Sequence, residues 1–459
     1  MKKIVLVLLT LVVGLGLFAC KNDADVLVIR AWNTEFQDRF RAYYPDFVET
    51  LDNGNDLLED GTEVKWVIVA NDDGAYQTAL DEALRNQSNA SGNDLLDIFL
   101  IEADYARKYT DVDGDPVALD LVDDLGITTA ELSDQYAYTQ DIVTDSDGNL
   151  RATSWQATPG LFAYRRSIAI DVLGSDDPET VQAALSDWDK FDSVAAEMKD
   201  DGYYMLSGYD DSYRTFSNNF EGQWLESDGK TVRIDDEVIN WIEQTKTYTD
   251  NGYNNGSSLW SDTWAADQGP DGNVFGFFYS TWGINFTLLG NSLADPDGDK
   301  AVGNGIYGDW GVVEGPANYY WGGTWIVGAV GTDQPELVKD IMVELTMNSE
   351  IAKNITLDTQ DYTNNKTAMD AIANDPDYGS DFLGGQNHIA LFNEAADGID
   401  MSNTTPYDQS LNEGIQTAFK DYFTGLVTWT EAWVNFENDV STDHPELLFP
   451  DSYPAEPTA

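Results

Sequence analysis

Val64-Lys65-Trp66-Val67-Ile68-Val69, then Asn71-Asp72-Asp73-Gly74, then Asp97-Ile98-Phe99-Leu100-Ile101 decide the fold class. The first and last are short apolar runs rich in β-branched residues, which predict strands. Between them Tyr76, Ala79, Leu80, Ala83 and Leu84 share one face of a helix over 75–85. Strand, helix and strand within roughly 40 residues predict a βαβ unit, because parallel strands need a long crossover. Upstream, Val26-Leu27-Val28-Ile29 adds another fully apolar strand. Ligands on parallel sheets gather at the carboxyl ends of the strands. Each strand here runs into a polar loop: Trp32-Asn33-Thr34-Glu35, Asn71-Asp72-Asp73-Gly74 and Glu102-Ala103-Asp104-Tyr105.

The rest of the chain is mixed and then helical. Asp177-Pro178 reads as a cap and first-turn proline, with Val181, Leu185, Trp188, Val194 and Met198 following at helical spacing up to Gly202. A helix is expected over 235–249. Strands are expected over 274–279, 311–313 and 324–330, and helices over 335–354, 411–425 and 430–440. Trp188, Trp241, Trp429 and Trp433 fall on helix faces, where packing explains them.

The amino terminus differs from everything after it. Lys2 and Lys3 precede an apolar run over 4–18, and Leu17-Phe18-Ala19-Cys20 closes it with the only cysteine of 459 residues. A basic start, a short apolar run and small residues before a cut make a secretory signal. The pattern resembles the bacterial lipoprotein signal, with residues 1–19 removed, Cys20 lipidated and 20–25 a short tether; an ordinary cleaved signal or a single membrane anchor are the alternatives. The resemblance implies a body held by acyl chains outside the cytoplasmic membrane. Roughly 440 residues then remain, enough for two or three domains.

Lys and Arg number 24 against 82 Asp and Glu, a formal net charge of −58. Nucleic acid is excluded as a partner, since phosphate binding needs clustered cations. The charge suits solubility, and 14 Trp, 23 Tyr and 19 Phe argue against disorder. Asp111-Val112-Asp113-Gly114-Asp115, Asp145-Ser146-Asp147-Gly148-Asn149 and Asp295-Pro296-Asp297-Gly298-Asp299 place glycine fourth, not sixth as in an EF-hand loop, so tight turns are expected. His388 and His444 are far apart and suggest no metal site. No cofactor is expected.

Several segments, in order, resemble the solute-binding proteins of bacterial ABC importers, in the carbohydrate-binding group that includes maltose-binding protein. They are Leu27-Val28-Ile29-Arg30-Ala31-Trp32-Asn33, Asn71-Asp72-Asp73-Gly74-Ala75-Tyr76-Gln77, Ser154-Trp155 with Leu161-Phe162-Ala163-Tyr164-Arg165-Arg166, Phe277-Phe278-Tyr279-Ser280-Thr281-Trp282-Gly283, Trp310-Gly311-Val312-Val313-Glu314-Gly315-Pro316, Trp321-Gly322-Gly323-Thr324-Trp325, and the closing helix around Trp433. The resemblance implies an α/β, two-lobe periplasmic-binding-protein-like fold with several hinge crossovers and a ligand cleft between the lobes. Lobe one would be 25–145 with 325–380, and lobe two 150–320 with 385–455. It further implies a monomeric, non-catalytic receptor that delivers a carbohydrate to a membrane permease.

Sugar recognition pairs flat aromatic faces with planar amides and carboxylates that take hydroxyls. Trp32, Asn33 and Glu35 after the first strand, Asp72, Asp73 and Tyr76 after the second, and Glu102 and Asp104 after the third are therefore candidates, with one of the two aspartates expected as a helix cap. The resemblance adds Trp155 and Tyr164 at the first crossover, Trp282 as the stacking ring, Trp321, Gly322, Gly323 and Trp325 at the second crossover, and Tyr407. Two other functions stay open: a secreted glycosidase, needing two well-spaced carboxylates, and the same fold holding a cation by cation–π contact.

Overall fold

The computed structural model describes residues 26–112 and 114–457. The signal, Cys20, the tether to residue 25 and Asp113 lie outside the described residues. The chain opens with β1 (Val26–Ala31), β2 (Phe47–Thr50), β3 (Asp56–Leu58), β4 (Glu63–Ile68), β5 (Ile98–Glu102) and β6 (Thr153–Ser154). β1 pairs in parallel with β4 and with β5, so that Ile29 lies opposite both Trp66 and Ile98. Leu27, Ile29, Ile98, Phe99 and Ile101 are fully buried, as expected for strands covered on both faces. The crossover from β4 to β5 is the helix Ala75–Asn86, which buries Tyr76, Gln77 and Leu80. The βαβ reading of the opening stretch therefore describes the centre of the sheet. Its outer edge differs: β2, β3 and β4 are antiparallel neighbours. β2 and β3 are too short and too polar to carry a strand pattern of their own.

After β6 the chain enters a second body with β7 (Gly160–Arg165), β8 (Leu206–Gly208), β9 (Asn254–Ser257), β10 (Gly276–Ser280) and β11 (Trp310–Val313). β7 is central and antiparallel to β10 and β11, while β8 and β9 form a separate parallel ribbon. β12 (Thr324–Gly328) then returns to the first sheet, antiparallel between β5 and β6, giving the order β2-β3-β4-β1-β5-β12-β6.

Three segments cross between the two bodies side by side. Ala157 N–H donates to Tyr362 O at 3.1 Å and Asn364 N–H to Trp155 O at 2.8 Å, while Trp321 N–H donates to Thr158 O at 3.1 Å. The third of these lies around residues 360–365. One apolar core runs through both sheets, and a second unites Tyr213, Trp224, Trp241, Phe419, Trp429 and Trp433 under the helices Asp236–Asn251, Asp408–Phe423 and Trp429–Asp443. Trp188 is partly buried between the two.

Two expected helices are each two. Asp187 caps Trp188–Asp200 by accepting from Lys190 N–H, and Asn348 caps Ser349–Thr359 by accepting from Glu350 and Ile351 N–H. An N-cap side chain restarts the helix although the apolar register continues across it.

Candidate functional site

The carboxyl ends of β1 and β5 meet the three crossings at a cleft of about 630 Å³. Trp32, Asn33, Thr34, Glu35, Asp38 and Arg39 line one wall, from the end of β1 into the helix Glu35–Tyr43. Asn33 Oδ1 accepts from Glu35 N–H at 3.0 Å and so shapes the turn. Trp32 stands edge-on to Tyr76 and Tyr105, with ring centroids 5.6 and 6.4 Å away. Glu102 ends β5, and its Oε2 accepts from Asp104 N–H at 2.8 Å. Burial, and then the nearby Asp104 charge, raises the Glu102 carboxyl above the usual carboxylate range. The opposite wall follows β10. There Thr281, Trp282, Asn285 and Phe286 face the cleft from a helix that widens into a π-turn over Ile284–Leu288. Such wide turns recur at functional sites.

Backbone at the crossings forms the floor. Trp282 Nε1–H donates to Trp321 O at 2.9 Å. Gly322 and Gly323 have φ of 72° and 109°, and a Cβ on Gly322 would stand 3.0 Å from Trp282 Nε1. Glycine is thus required twice, for the backbone angle and for the approach of the indole. Gln156 Nε2 bridges two carboxylates, reaching Glu35 Oε1 at 3.1 Å and Asp361 Oδ2 at 2.9 Å. Burial and the neighbouring Asp361 push the Glu35 carboxyl up to about 7. Arg39 is the one basic side chain among the described lining residues. Beneath the cleft, Arg214 of the second body forms a two-point ion pair with Asp104 of the first, at 2.8 and 2.6 Å, and lies 5.5 Å from the Trp321 ring. Flat rings, amides and carboxylates with almost no cation suit a hydroxyl-rich neutral or cationic ligand, not an anion. Among the described residues no cluster of His, Cys, Asp and Glu could hold a metal ion.

The sequence profile described as bacterial extracellular solute-binding protein matches residues 58–380. The chain belongs to this family. Comparison with the curated proteins finds no match. Among solved structures, the ABC transporter associated binding protein of B. animalis subsp. lactis Bl-04 in complex with beta-1,6-galactobiose is similar over 94% of this chain and 100% of that one, with 17% identity and a TM-score of 0.66. The galacto-N-biose-/lacto-N-biose I-binding protein of Bifidobacterium longum, in complex with lacto-N-biose, covers 92% of this chain and 97% of its own, at 11% identity and a TM-score of 0.64. Maltose-bound T. maritima MalE3 covers 91% and 99%, at 13% identity and a TM-score of 0.60. At such identities the likeness is one of fold: this solute-binding protein has the two-lobe α/β architecture of those structures.

The binding protein brings half of the sequence-derived candidates together. Trp32, Asn33, Glu35, Glu102, Trp282, Trp321, Gly322 and Gly323 line the cleft. The others lie elsewhere. Tyr76 is buried behind Trp32, donating to Leu100 O at 2.6 Å. Trp155 is buried and stacked on Phe36 at 5.3 Å. Tyr164 is buried within β7 and donates to Asp176 O, and Trp325 is buried within β12 and donates to Thr139 O. Asp104 is engaged by Arg214. Asp72 and Asp73 occupy an exposed turn, and neither caps the following helix, whose N-cap is Gly74 with no side-chain bond. Their distance from the cleft follows from strand order, since β4 lies one strand farther than β1 from the crossing strand β12. Tyr407 packs edge-on to His444 beside the second core, with centroids 5.0 Å apart.

Gln156, Asp361, Arg39, Thr281, Asn285 and Phe286 were not among the candidates. One of them had a usable signal: side chains alternate along an extended crossing, so with Trp155 turned inward Gln156 faces the cleft. Asp361 had none, because its segment meets the other two only in three dimensions.

Proposed function

We propose that this protein is a lipid-anchored receptor that binds a carbohydrate outside the cytoplasmic membrane and hands it to the permease of an ABC importer. The observation that carries the ligand class is the composition of the cleft: Trp32 and Trp282 present aromatic surface beside the buried Trp321, and Asn33, Glu35, Glu102, Gln156 and Asp361 offer planar hydrogen-bonding groups. Neutral sugars need both. The sugars bound by the structural neighbours agree with this reading. Lobe one would comprise the first sheet with its helices and lobe two the second, and closure about the three crossings would hold the ligand between Trp282 and the carboxyls of Glu35 and Glu102. The chain would act by binding alone, without catalysis, and as a monomer. Calorimetric titration with mono- and oligosaccharides should show saturable binding that is weakened about 100-fold by Trp282→Ala. Absence of binding across the panel overturns the carbohydrate reading.

The excess of carboxylates over Arg39 favours one second reading, a cationic ligand held by the same rings. A quaternary amine that competes with sugar, or binds where sugars do not, would select it. The anchor rests on the lipoprotein pattern at Cys20. Cys20→Ala should leave ligand affinity unchanged and release the protein from the membrane. A variant that stays membrane-bound removes the anchor from the proposal.

A further inference from the structure

Trp260 breaks a local backbone rule while leaving more than half of its side chain in solvent. Its φ is 65°, in the left-handed region that strains bulky L residues and suits glycine. It is also 56% exposed, with the rest of its ring packed on Trp264, Trp282 and Trp321. The backbone is held there from several directions. Leu259 N–H donates to Asp210 Oδ2 at 3.1 Å, Ser261 N–H to Ser258 O at 3.1 Å, and Ser261 Oγ caps the helix Asp262–Asp267 by accepting from Trp264 N–H at 3.2 Å. None of these bonds requires an indole at position 260.

The indole does have a definite place. It lies nearly parallel to Trp282, with an interplanar angle of 18° and a centroid distance of 6.2 Å, and it is 6.0 Å from Trp321. Trp282 and Trp321 line the cleft, whereas Trp260 lies outside its lining. Trp260 therefore continues the aromatic surface from the cleft toward solvent. Phe286, 77% exposed and 6.2 Å from Trp282, widens the same surface. Strain kept at an exposed residue that touches a binding site is a mark of function, because folding alone would favour its removal.

We propose that Trp260 is a specificity-determining residue that forms an outer stacking platform and selects an elongated glycan, of two or more sugar rings, over a monosaccharide. The inner ring sits against Trp282 and the next one reaches Trp260. This rests on the carbohydrate reading of the cleft.

The test uses the full chain and calorimetric titration with glucose, galactose, maltose, maltotriose and galactobiose, for wild type, Trp260→Gly and Trp260→Phe. Wild type should bind at least one di- or trisaccharide more tightly than its monosaccharide. Trp260→Gly should weaken that oligosaccharide about tenfold and the monosaccharide less than twofold, with an unchanged or higher Tm, and Trp260→Phe should restore part of the loss. Equal weakening of both ligands, no weakening, a lowered Tm in Trp260→Gly, or a wild type indifferent to ligand length overturns the proposal while sugar binding stands. If wild type binds none of the five, a wider sugar panel on wild type alone decides the carbohydrate reading. A wild type silent there too overturns both.

Discussion

The two walls of the cleft are built from different chemistry. The first sheet contributes Trp32, Asn33, Glu35 and Glu102 from loops at the carboxyl ends of parallel strands, so its wall is rich in carboxylates. The second body contributes Thr281, Trp282, Asn285 and Phe286 from a helix after an antiparallel strand, and its wall is aromatic and neutral. A parallel sheet delivers its loops to one edge by topology, whatever those loops contain. An antiparallel sheet has no such edge, and the second wall depends on one widened helix turn held against the crossings by the bond from Trp282 to Trp321 O. If the cleft binds a sugar as proposed, hydrogen bonding would fall mainly to the first wall and ring stacking mainly to the second.

Removing Trp282 should have the largest effect. Trp282→Ala is expected to weaken sugar binding about 100-fold, as for a central aromatic anchor, measured by calorimetry. On the opposite wall, Glu102→Gln keeps the shape and replaces the carboxyl, which burial raises above the usual carboxylate range, by an amide, with an expected loss of up to about tenfold from one altered hydrogen bond. If Glu102→Gln costs more than Trp282→Ala, the division between walls is wrong. Below these lies the strut joining the two bodies. Arg214→Ala removes the ion pair to Asp104, whose side chains are 25% and 26% exposed, and should lower stability by about 1 kcal/mol in denaturant unfolding.

Stability should also depend on pH with a definite sign. Burial pushes Glu35, Asp211 and Asp408 up to about 7. Between about 4, where the unfolded carboxyls titrate, and about 7, the folded chain binds more protons than the unfolded one, so stability falls as pH rises through that window. Melts of the ligand-free protein should give a higher Tm at pH 5 than at pH 8, and Asp211→Asn should reduce the difference. A higher Tm at pH 8 would show that these carboxyls are ionised at no cost in the folded state. The smallest effect is expected at Asp73, which is exposed, outside the cleft and at φ 49°. Asp73→Gly should leave affinity unchanged and stabilise by about a few tenths of a kcal/mol, less than the ordinary αL penalty because aspartate tolerates that region. A loss of affinity there would extend the first wall to β4.

Legibility in the sequence followed the kind of signal each residue carried. β1, β4, β5 and the helix Ala75–Asn86 were readable because continuous apolar runs and a 3.6-residue stripe are local patterns. Glu102 and Trp32 were readable because a strand end marks them. Trp155, Tyr164 and Trp325 illustrate the opposite case. Aromatic content near a crossover does not say which way a ring turns, and all three turn into the core. The start of the helix Trp429–Asp443 was legible in principle, as Thr428 and Glu431 form a reciprocal capping box.

The two-lobe plan was implied only by the resemblance of ordered segments to a known family; by itself the sequence determined the α/β class, the acidic and cation-poor character of the chain, and its supply of aromatic and planar polar residues. These follow from local periodicity and from composition, which need no long-range contact. Only the tertiary structure decided which of those residues meet. Gln156, Thr324 and Asp361 come from three crossings, the first and last of them about 200 residues apart, and hydrogen bonds between the crossings set them around one cleft. The backbone angle that places Trp260 beside Trp282 is likewise imposed by distant partners such as Asp210. Side-chain direction at a crossing is settled by the packing on either side of it, and that information is spread over the whole chain.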